Sequence, residues 1–444
     1  MKFCYVAIAA LLFSARVFAA DSAVPGFKKI QLTDQFWAEG AAFGDFNRDG
    51  IMDVASGPFW YEGPDFKTRH EYRPLPTTSF TRTNADGTTE KIPGFEGALG
   101  VKNTYSDNFF TFVYDFNGDG WPDIMVIGFP AKEAFWFENP KGQPGHWKRH
   151  LIFDNVENES PAFTELIGDG KPQLVCNSSN YFGYAQADWN APDKPWTFHR
   201  ISPKGPWGKF QHGLGVGDVN GDGRMDILEK DGWWEQPASL APWNTQAHEA
   251  TTTGGPGQST GRAGDPVWKF HPFKFSEAER GCSQMYAYDV NGDGLNDVIC
   301  CLNPHGYGLA WFEQVRTNGE ITFIRHLILN PDATPSKDGV VFTQPHAVAL
   351  VDMDGDGLKD IVTGKRFWAH GKTGPDPDEN SAAVLYWFKL VRTGNGQAEF
   401  VPHLIDDNSG VGTQVMTGLA SNSKYPDIVV GNKKGVFVFE RQPK

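Results

Sequence analysis

The stretch that decides the fold runs from Gln211 to Pro237, "QHGLGVGDVNGDGRMDILEKDGWWEQP". Asp218, Asn220, Asp222 and Asp226 carry the acidic spacing of a calcium loop. A helix–loop–helix calcium site shares that opening, but its flanks are helical. Here both flanks read as short apolar strands, so the loop is the turn between them. His212 stands six residues ahead of Asp218. Its place depends on how often the unit recurs.

It recurs along the whole chain. "DFNRDGIMD" begins at Asp45 (Asp45, Asn47, Asp49, Asp53), and "DFNGDGWPD" at Asp115 (Asp115, Asn117, Asp119, Asp123). "DVNGDGLND" begins at Asp289 (Asp289, Asn291, Asp293, Asp297), and "DMDGDGLKD" at Asp352 (Asp352, Asp354, Asp356, Asp360). Two degenerate copies fill the gaps. "ELIGDGKPQ" from Glu165 loses the second and last ligands, and "LASNSKYPD" from Leu419 keeps only Asp427. The copies lie 50 to 71 residues apart, which is repeat spacing. Each loop is followed by a strand ("DIMVIG", "DVICC", "DIVTG"), an aromatic strand ("AFWFE", "GWWEQ", "LAWFE") and a strand ending in His ("WKRHLI", "WTFHRI", "FIRHLI"). Four short strands repeated seven times predict an all-β, seven-bladed β-propeller. The last unit stops after its third strand, "GVFVFE". An orphan strand, "FKKIQL" from Phe27, is expected to complete that blade and remove the open edge.

Bulk properties agree. The chain has 444 residues, a formal net charge of -14, 50 Gly, 15 Trp and 34 Phe. Length alone suggests two or three domains, a prior that repeat folds escape. An acidic surface argues against nucleic-acid partners, which require clustered Lys and Arg. Acidity suits calcium, a hard cation that takes oxygen ligands. Residues 1–19 read as a secretory signal, with Lys2, the apolar "FCYVAIAALLF" and "VFA" before the cleavage point. The expectation is a secreted or periplasmic protein whose residues 20–444 form one propeller, with no membrane span. Cys176, Cys282, Cys300 and Cys301 follow the signal. A bridge from Cys282 to Cys300 or Cys301 is expected, since these flank one hairpin.

The repeats resemble the FG-GAP or VCBS family of propellers. That resemblance implies structural Ca2+ in the loops and no single activity. More narrowly, "HGLGVGDVNGDGRMDIL…GWWEQP" and "SQMYAYDVNGDGLNDVI" resemble the propeller part of aldos-2-ulose dehydratase, whose cupin domains have no counterpart here.

In a propeller the first strand of each blade lines the channel. Its lead-in opens at the mouth opposite the calcium turns, about 20 Å away at about 3.3 Å per residue. The offset of six residues gives seven equivalent mouth positions: Glu39, Phe109, Glu159, His212, Ser283, His346 and Thr413. Asn108, Ser160, Gln284 and Gln414 adjoin them. The loops between second and third strands open at the same mouth and bring Tyr181, Lys230, Asp231, His305, Tyr307, Lys365, Arg366 and His370. Insertions at 76–107 and 331–344 collect there too. Two histidines and two glutamates converging suggest metal binding or acid–base chemistry. The histidines His70, His150, His199, His271, His326 and His403 recur blade by blade and are expected to pack.

The functional expectation is a carbohydrate-active lyase or dehydratase working by β-elimination on a keto- or uronyl-sugar. The reaction class follows from the resemblance and the location from the repeat offsets. His212 or His346 would take the proton alpha to the carbonyl. The other histidine, Glu159 and an additional divalent metal would stabilise the enolate. His305, Tyr181 or Tyr307 would protonate the leaving oxygen, while Gln284, Asn108, Lys365, Arg366 and Tyr307 would bind substrate. The alternative is a non-catalytic calcium-loaded propeller for glycans or protein partners. No "GxSxG" or "HExxH" supports serine-hydrolase or zincin chemistry.

Overall fold

The structure is a computed structural model that describes residues 26–97, 104–240, 265–279, 281–421 and 423–442. The segment read as a signal lies outside the described residues. Among these there is no helix. The strands form five four-stranded sheets, one eight-stranded sheet and a two-stranded hairpin in a β-propeller arrangement. Each four-stranded sheet, and each half of the eight-stranded one, has at one edge the short strand ahead of a repeat turn, such as Phe110–Tyr114 or Val348–Val351. First strands of neighbouring sheets touch one another. Ala42–Gly44 meets both Phe110–Tyr114 and Val415–Gly418, which brings the two ends of the series together.

The eight-stranded sheet has a local cause. It is two antiparallel quartets joined by a parallel pairing of Leu214 with Gln284 and Gly215 with Met285. A Cβ at Gly215 would lie 2.1 Å from the Met285 carbonyl oxygen, and one at Gly217 would lie 2.7 Å from Ala287 Cβ. Glycine at both positions lets two inner strands approach closely enough to hydrogen-bond.

The N-terminal strand Phe27–Thr33 pairs antiparallel with Gly435–Arg441, Phe27 opposite Arg441 and Ile30 opposite Val438. It therefore completes the sheet of the C-terminal strands, as the orphan-strand reading expects. The insertion after Pro76 forms the hairpin Ser79–Thr83 with Thr89–Pro93.

Second strands are buried along their length because they lie between two packed faces. Ile124, Met125, Val126 and Ile127 are all buried. The last residue of each intact acidic turn acts as a hinge. Asp226 accepts from Val219 N (2.9 Å) and, through its other oxygen, from Gln236 N (2.9 Å). Asp53, Asp123, Asp297 and Asp360 each accept the equivalent pair of backbone N–H groups. Each is fully buried. The carboxylate thus ties the first turn to the end of the third strand. Asp427 does the same for Ala420 N and Arg441 N, and Gln173 accepts from Leu166 N. This explains why the Leu419 copy retains only its last aspartate.

The repeated histidines pack as expected. His70 stacks on Trp60 (ring centroids 3.9 Å), His150 on Trp136 (4.2 Å), His271 on Trp233 (4.0 Å) and His326 on Trp311 (4.2 Å). Each also bonds a glutamate two residues beyond that tryptophan: Glu62, Glu138, Glu235 and Glu313. His199 stacks on Tyr184 and reaches Asp265 instead (3.0 Å).

The expected disulfide is absent. Cys176, Cys282, Cys300 and Cys301 are buried and free. Cys301 Sγ accepts from Ser283 N (3.1 Å), the Cys300 thiol is directed at Phe275 O (3.9 Å), and burial raises the thiol pKa values of Cys282 and Cys301. They fill space as small apolar groups.

Candidate functional site

His212, His346 and Glu159 all lie in lead-ins to first strands, and the fold brings them together. His212 precedes Leu214–Gly217, His346 precedes Val348–Val351, and Glu159 precedes Ala162–Glu165. Phe210 and Gln344, each two residues ahead of a histidine, take positive φ (68° and 60°), a conformation uncommon for residues other than glycine. Their carbonyls are turned to use. His212 Nδ1–H donates to Phe210 O (2.8 Å), and Gln344 O accepts from His346 N (2.7 Å) and Arg366 N (2.9 Å).

The first of these bonds sets the tautomer. With its proton on Nδ1, His212 presents the Nε2 lone pair to His346 Nε2, 3.0 Å away. His346 Nε2 itself accepts from Arg366 Nη1 (2.9 Å). Glu159 Oε2 lies 3.3 Å from His212 Nε2 and 3.5 Å from His346 Nε2. Three electron-pair donors therefore face one point. His305 stands beside them, its ring 5.1 Å from both His212 and His346. The ligand nitrogens of the three histidines lie within 4.8 Å of one another. Nitrogen and carboxylate donors in such a cluster suit a divalent transition metal.

The charges around the cluster are fixed. Arg366 pairs with buried Glu39 (Nη2 to Oε1 3.0 Å, Nε to Oε2 3.2 Å). Burial opposes its charge, but Glu39 and Glu159 hold its pKa above the ordinary value. Burial, with Arg366 beside it, holds His346 well below the usual imidazole range, so it is neutral. Burial likewise brings His305 down to about 4, against the pull of Asp376. Burial disfavours the Glu159 carboxylate, and the Arg366 guanidinium, its Nη1 3.6 Å from Glu159 Oε2, favours it. Asp376 bridges His370 (2.7 Å) and His305 Nδ1 (3.5 Å). A cavity of about 370 Å³ opens over this cluster, lined by Tyr105, Glu159, Phe210, His212, His305, Arg366 and His370.

Other expected site residues stand apart from that cavity. Tyr181 lies under the Arg200 guanidinium (4.1 Å). Gln284 braces two other sheets, donating to Thr413 O (3.0 Å) and accepting from Val348 N (2.9 Å). The buried Asn108 side-chain amide hydrogen-bonds the Thr111 hydroxyl (3.2 Å). Lys365 is buried and donates to Thr343 Oγ1 (2.5 Å) and Asp378 O (2.9 Å). Tyr307 donates to the Asp378 carboxylate. Tyr105, Phe210 and Asp376 are the residues that repeat offsets do not point to. Tyr105 and Asp376 lie in an insertion and a loop outside the repeat, while Phe210 lies in a lead-in that the copies share, two residues from the offset position.

The acidic turns share one pattern of bonds. Asp218 accepts from Gly221 N (2.7 Å), Asp222 N (3.1 Å) and Gly223 N (2.9 Å), and Asn220 Oδ1 accepts from Asp222 N (3.0 Å). These bonds shape the turn and leave oxygen-only donor sets, which fit a hard cation. The Asp352, Asp354 and Asp356 carboxylates converge within 4.8 Å, with the Lys389 ammonium 2.9 Å from Asp356.

Residues 289–363 match the family model of the FG-GAP-like repeat. No curated protein matches the chain, and the narrower resemblance to aldos-2-ulose dehydratase finds no support. Among solved structures, the chain is similar to an Agrocybe aegerita lectin described as recognising non-reducing terminal N-acetylglucosamine. That likeness is 15% identity over 86% of this chain and 81% of that chain, with a TM-score of 0.41. The V. cholerae biofilm matrix protein Bap1 is 12% identical over 91% and 77%, with a TM-score of 0.26. A putative 6-phosphogluconolactonase from Bacteroides fragilis NCTC 9343 is 11% identical over 84% and 96%, with a TM-score of 0.37. None of these likenesses is close enough to transfer a ligand or an activity.

Proposed function

Starting from a propeller with an FG-GAP-like repeat over residues 289–363, we propose a secreted or periplasmic lyase that eliminates across a keto- or uronyl-sugar at the channel mouth. Reading the eight-stranded sheet as two blades gives seven. The observation that carries the proposal is the meeting of His212 Nε2, His346 Nε2 and Glu159 Oε2 beneath a cavity of about 370 Å³. That volume suits one sugar-sized ligand.

His212, His346 and Glu159 would hold a divalent metal, with His305 within reach. Such a metal polarises a carbonyl and so acidifies the neighbouring carbon. His212 and His346 face each other too closely to admit a C–H group, so the base moves to His305. Burial keeps its imidazole unprotonated, and Asp376 behind Nδ1 orients it. Arg366, held by Glu39, stabilises the negative charge that develops on the substrate oxygen. His370, stacked on His305 at 4.5 Å, is placed to return a proton to the leaving oxygen.

The test is a screen for absorbance of unsaturated products across keto-sugars, uronides and their glycosides. Metal-loaded protein should produce them. A transition-metal chelator used with calcium in excess should stop turnover, and elemental analysis should find about one metal beyond calcium. No product from fully loaded protein on any substrate would sink the lyase reading.

A second reading is a propeller that binds glycans without chemistry. The aromatic rim favours it: Phe129 meets Tyr105 and Phe210 with ring centroids at 5.3 and 5.5 Å, and the Lys209 ammonium lies over both Phe129 and Phe210. Binding without turnover would identify it.

The turns beginning at Asp45, Asp115, Asp218, Asp289 and Asp352 would hold structural Ca2+. Calcium removal should lower the melting temperature, by the equivalent of about 2.7 kcal/mol per site at a hundredfold excess over Kd. Asp119→Ala should lower stability and leave the activity of the folded fraction intact. Loss of turnover at unchanged folding would make the turn catalytic.

A further inference from the structure

We infer that the cleft beside the inserted hairpin is an extended subsite for a neutral oligosaccharide chain whose end enters the mouth cavity; this rests on the carbohydrate reading above. The cleft has a volume of about 1150 Å³ and lies between the hairpin Ser79–Thr83/Thr89–Pro93 and the sheet that carries Phe129 and Phe135. It exceeds the roughly 300–1,000 Å³ of ordinary single-ligand pockets, whereas the mouth cavity lies at the small end of that range.

The two spaces share a wall. Tyr105 lines both. Phe129, in the cleft, sits with its ring centroid 5.5 Å from that of Phe210, in the mouth. A chain with one ring over His305 would continue past Tyr105 into the cleft.

The lining chooses the chemistry. Phe80, Phe95, Phe129 and Phe135 offer flat apolar faces, and Ser79 and Thr81 add exposed hydroxyl residues. Charge is balanced and largely committed. Arg73, Lys132 and Arg149 stand against Glu96, Asp107 and Glu133. Arg73 is locked to Asp107 by two bonds (2.9 and 2.8 Å), and Arg149 lies over Phe135 (4.4 Å). Three cations face three carboxylates in the lining, so a polyanion gains no net charge attraction and the geometry suits uncharged rings with hydroxyl edges.

The experiment is calorimetric titration with methyl glycosides of neutral tetrasaccharides, which carry no reacting carbonyl, and with the matching methyl monosaccharides. At least one tetrasaccharide should bind at least tenfold more tightly than its monosaccharide. Phe80→Ala and Thr81→Trp, both on the peripheral hairpin, should each remove that tenfold gain and leave turnover of a single-ring substrate unchanged. A tetrasaccharide that binds no better than its monosaccharide would overturn the inference. So would wild-type affinity in both variants, or a tetra-uronide that binds more tightly than every neutral chain. If the variants lose chain binding while no sugar is ever turned over, the cleft stands and the lyase reading fails.

Discussion

His212→Ala is expected to lower turnover by at least about a thousandfold, about 4 kcal/mol of barrier, while the melting temperature moves by no more than about 2 °C. The loss follows from the geometry of the cluster. His212 Nε2, His346 Nε2 and Glu159 Oε2 crowd their electron pairs into one place, with Arg366 as the nearby donor. Removing one of them relieves that repulsion, which offsets part of the cost of the space left behind. The same change deletes a proposed ligand, so bound transition metal should fall in parallel. His199→Ala should behave in the opposite way. Its ring stacks on Tyr184 and bonds Asp265 at 3.0 Å. Losing both contacts should cost about 1–3 kcal/mol of stability and leave kcat alone. Melting curves and kinetics measured side by side decide the matter. Full turnover in His212→Ala on a confirmed substrate would reduce the cluster to a polar lining.

Asp226→Ala should destabilise the protein by about 3 kcal/mol or more, whether or not calcium is present. Two buried N–H groups, on Val219 and Gln236, would lose their acceptor, each at about 1–3 kcal/mol. Asp222→Ala, in the same turn, should matter only when calcium is bound, because its bonds are local and partly exposed. Urea titrations with calcium and with chelator separate the two. If Asp226→Ala shows no deficit in chelator, the hinge is not what holds the turn to the third strand.

The legible part of this molecule was the part that repeats. A turn copied along the chain marks the ends of its strands, and the offset of His212 from Asp218 could be carried to Glu159 and His346 because the strands between are alike. Equal offsets correctly brought these three to one point. Asn108 and Gln284, neighbours of the offset positions Phe109 and Ser283, hold hydrogen bonds within the fold. Spacing specifies where a side chain begins, not which hydrogen bonds claim it. Lys365 and Tyr307 illustrate the same limit, since both serve the loop around Asp378. Asp376, Tyr105 and Phe210 were illegible for a different reason. Tyr105 and Asp376 sit in segments outside the repeat, Phe210 sits two residues from the offset position, and the placement of all three depends on tertiary packing. The hinge role of Asp226 and its equivalents was hidden by the metal motif that contains them, although the survival of Asp427 in the most degenerate copy was its trace.

The pairing of Phe27–Thr33 with Gly435–Arg441 has a kinetic consequence. Lys28 and Glu440, which meet at 2.8 Å across that seam, are 412 residues apart in sequence. Closing a loop of that length costs roughly 5 kcal/mol of chain entropy, and contacts so distant form late. During synthesis the early sheets can assemble in order, while the ring remains an open arc until the final strand emerges. The seam is then a latch whose two halves are made at opposite times. A circular permutant that joins residue 442 to residue 26 through a short linker, with new ends in an exposed turn elsewhere, would turn that latch into a local hairpin. It should refold faster with its equilibrium stability nearly unchanged.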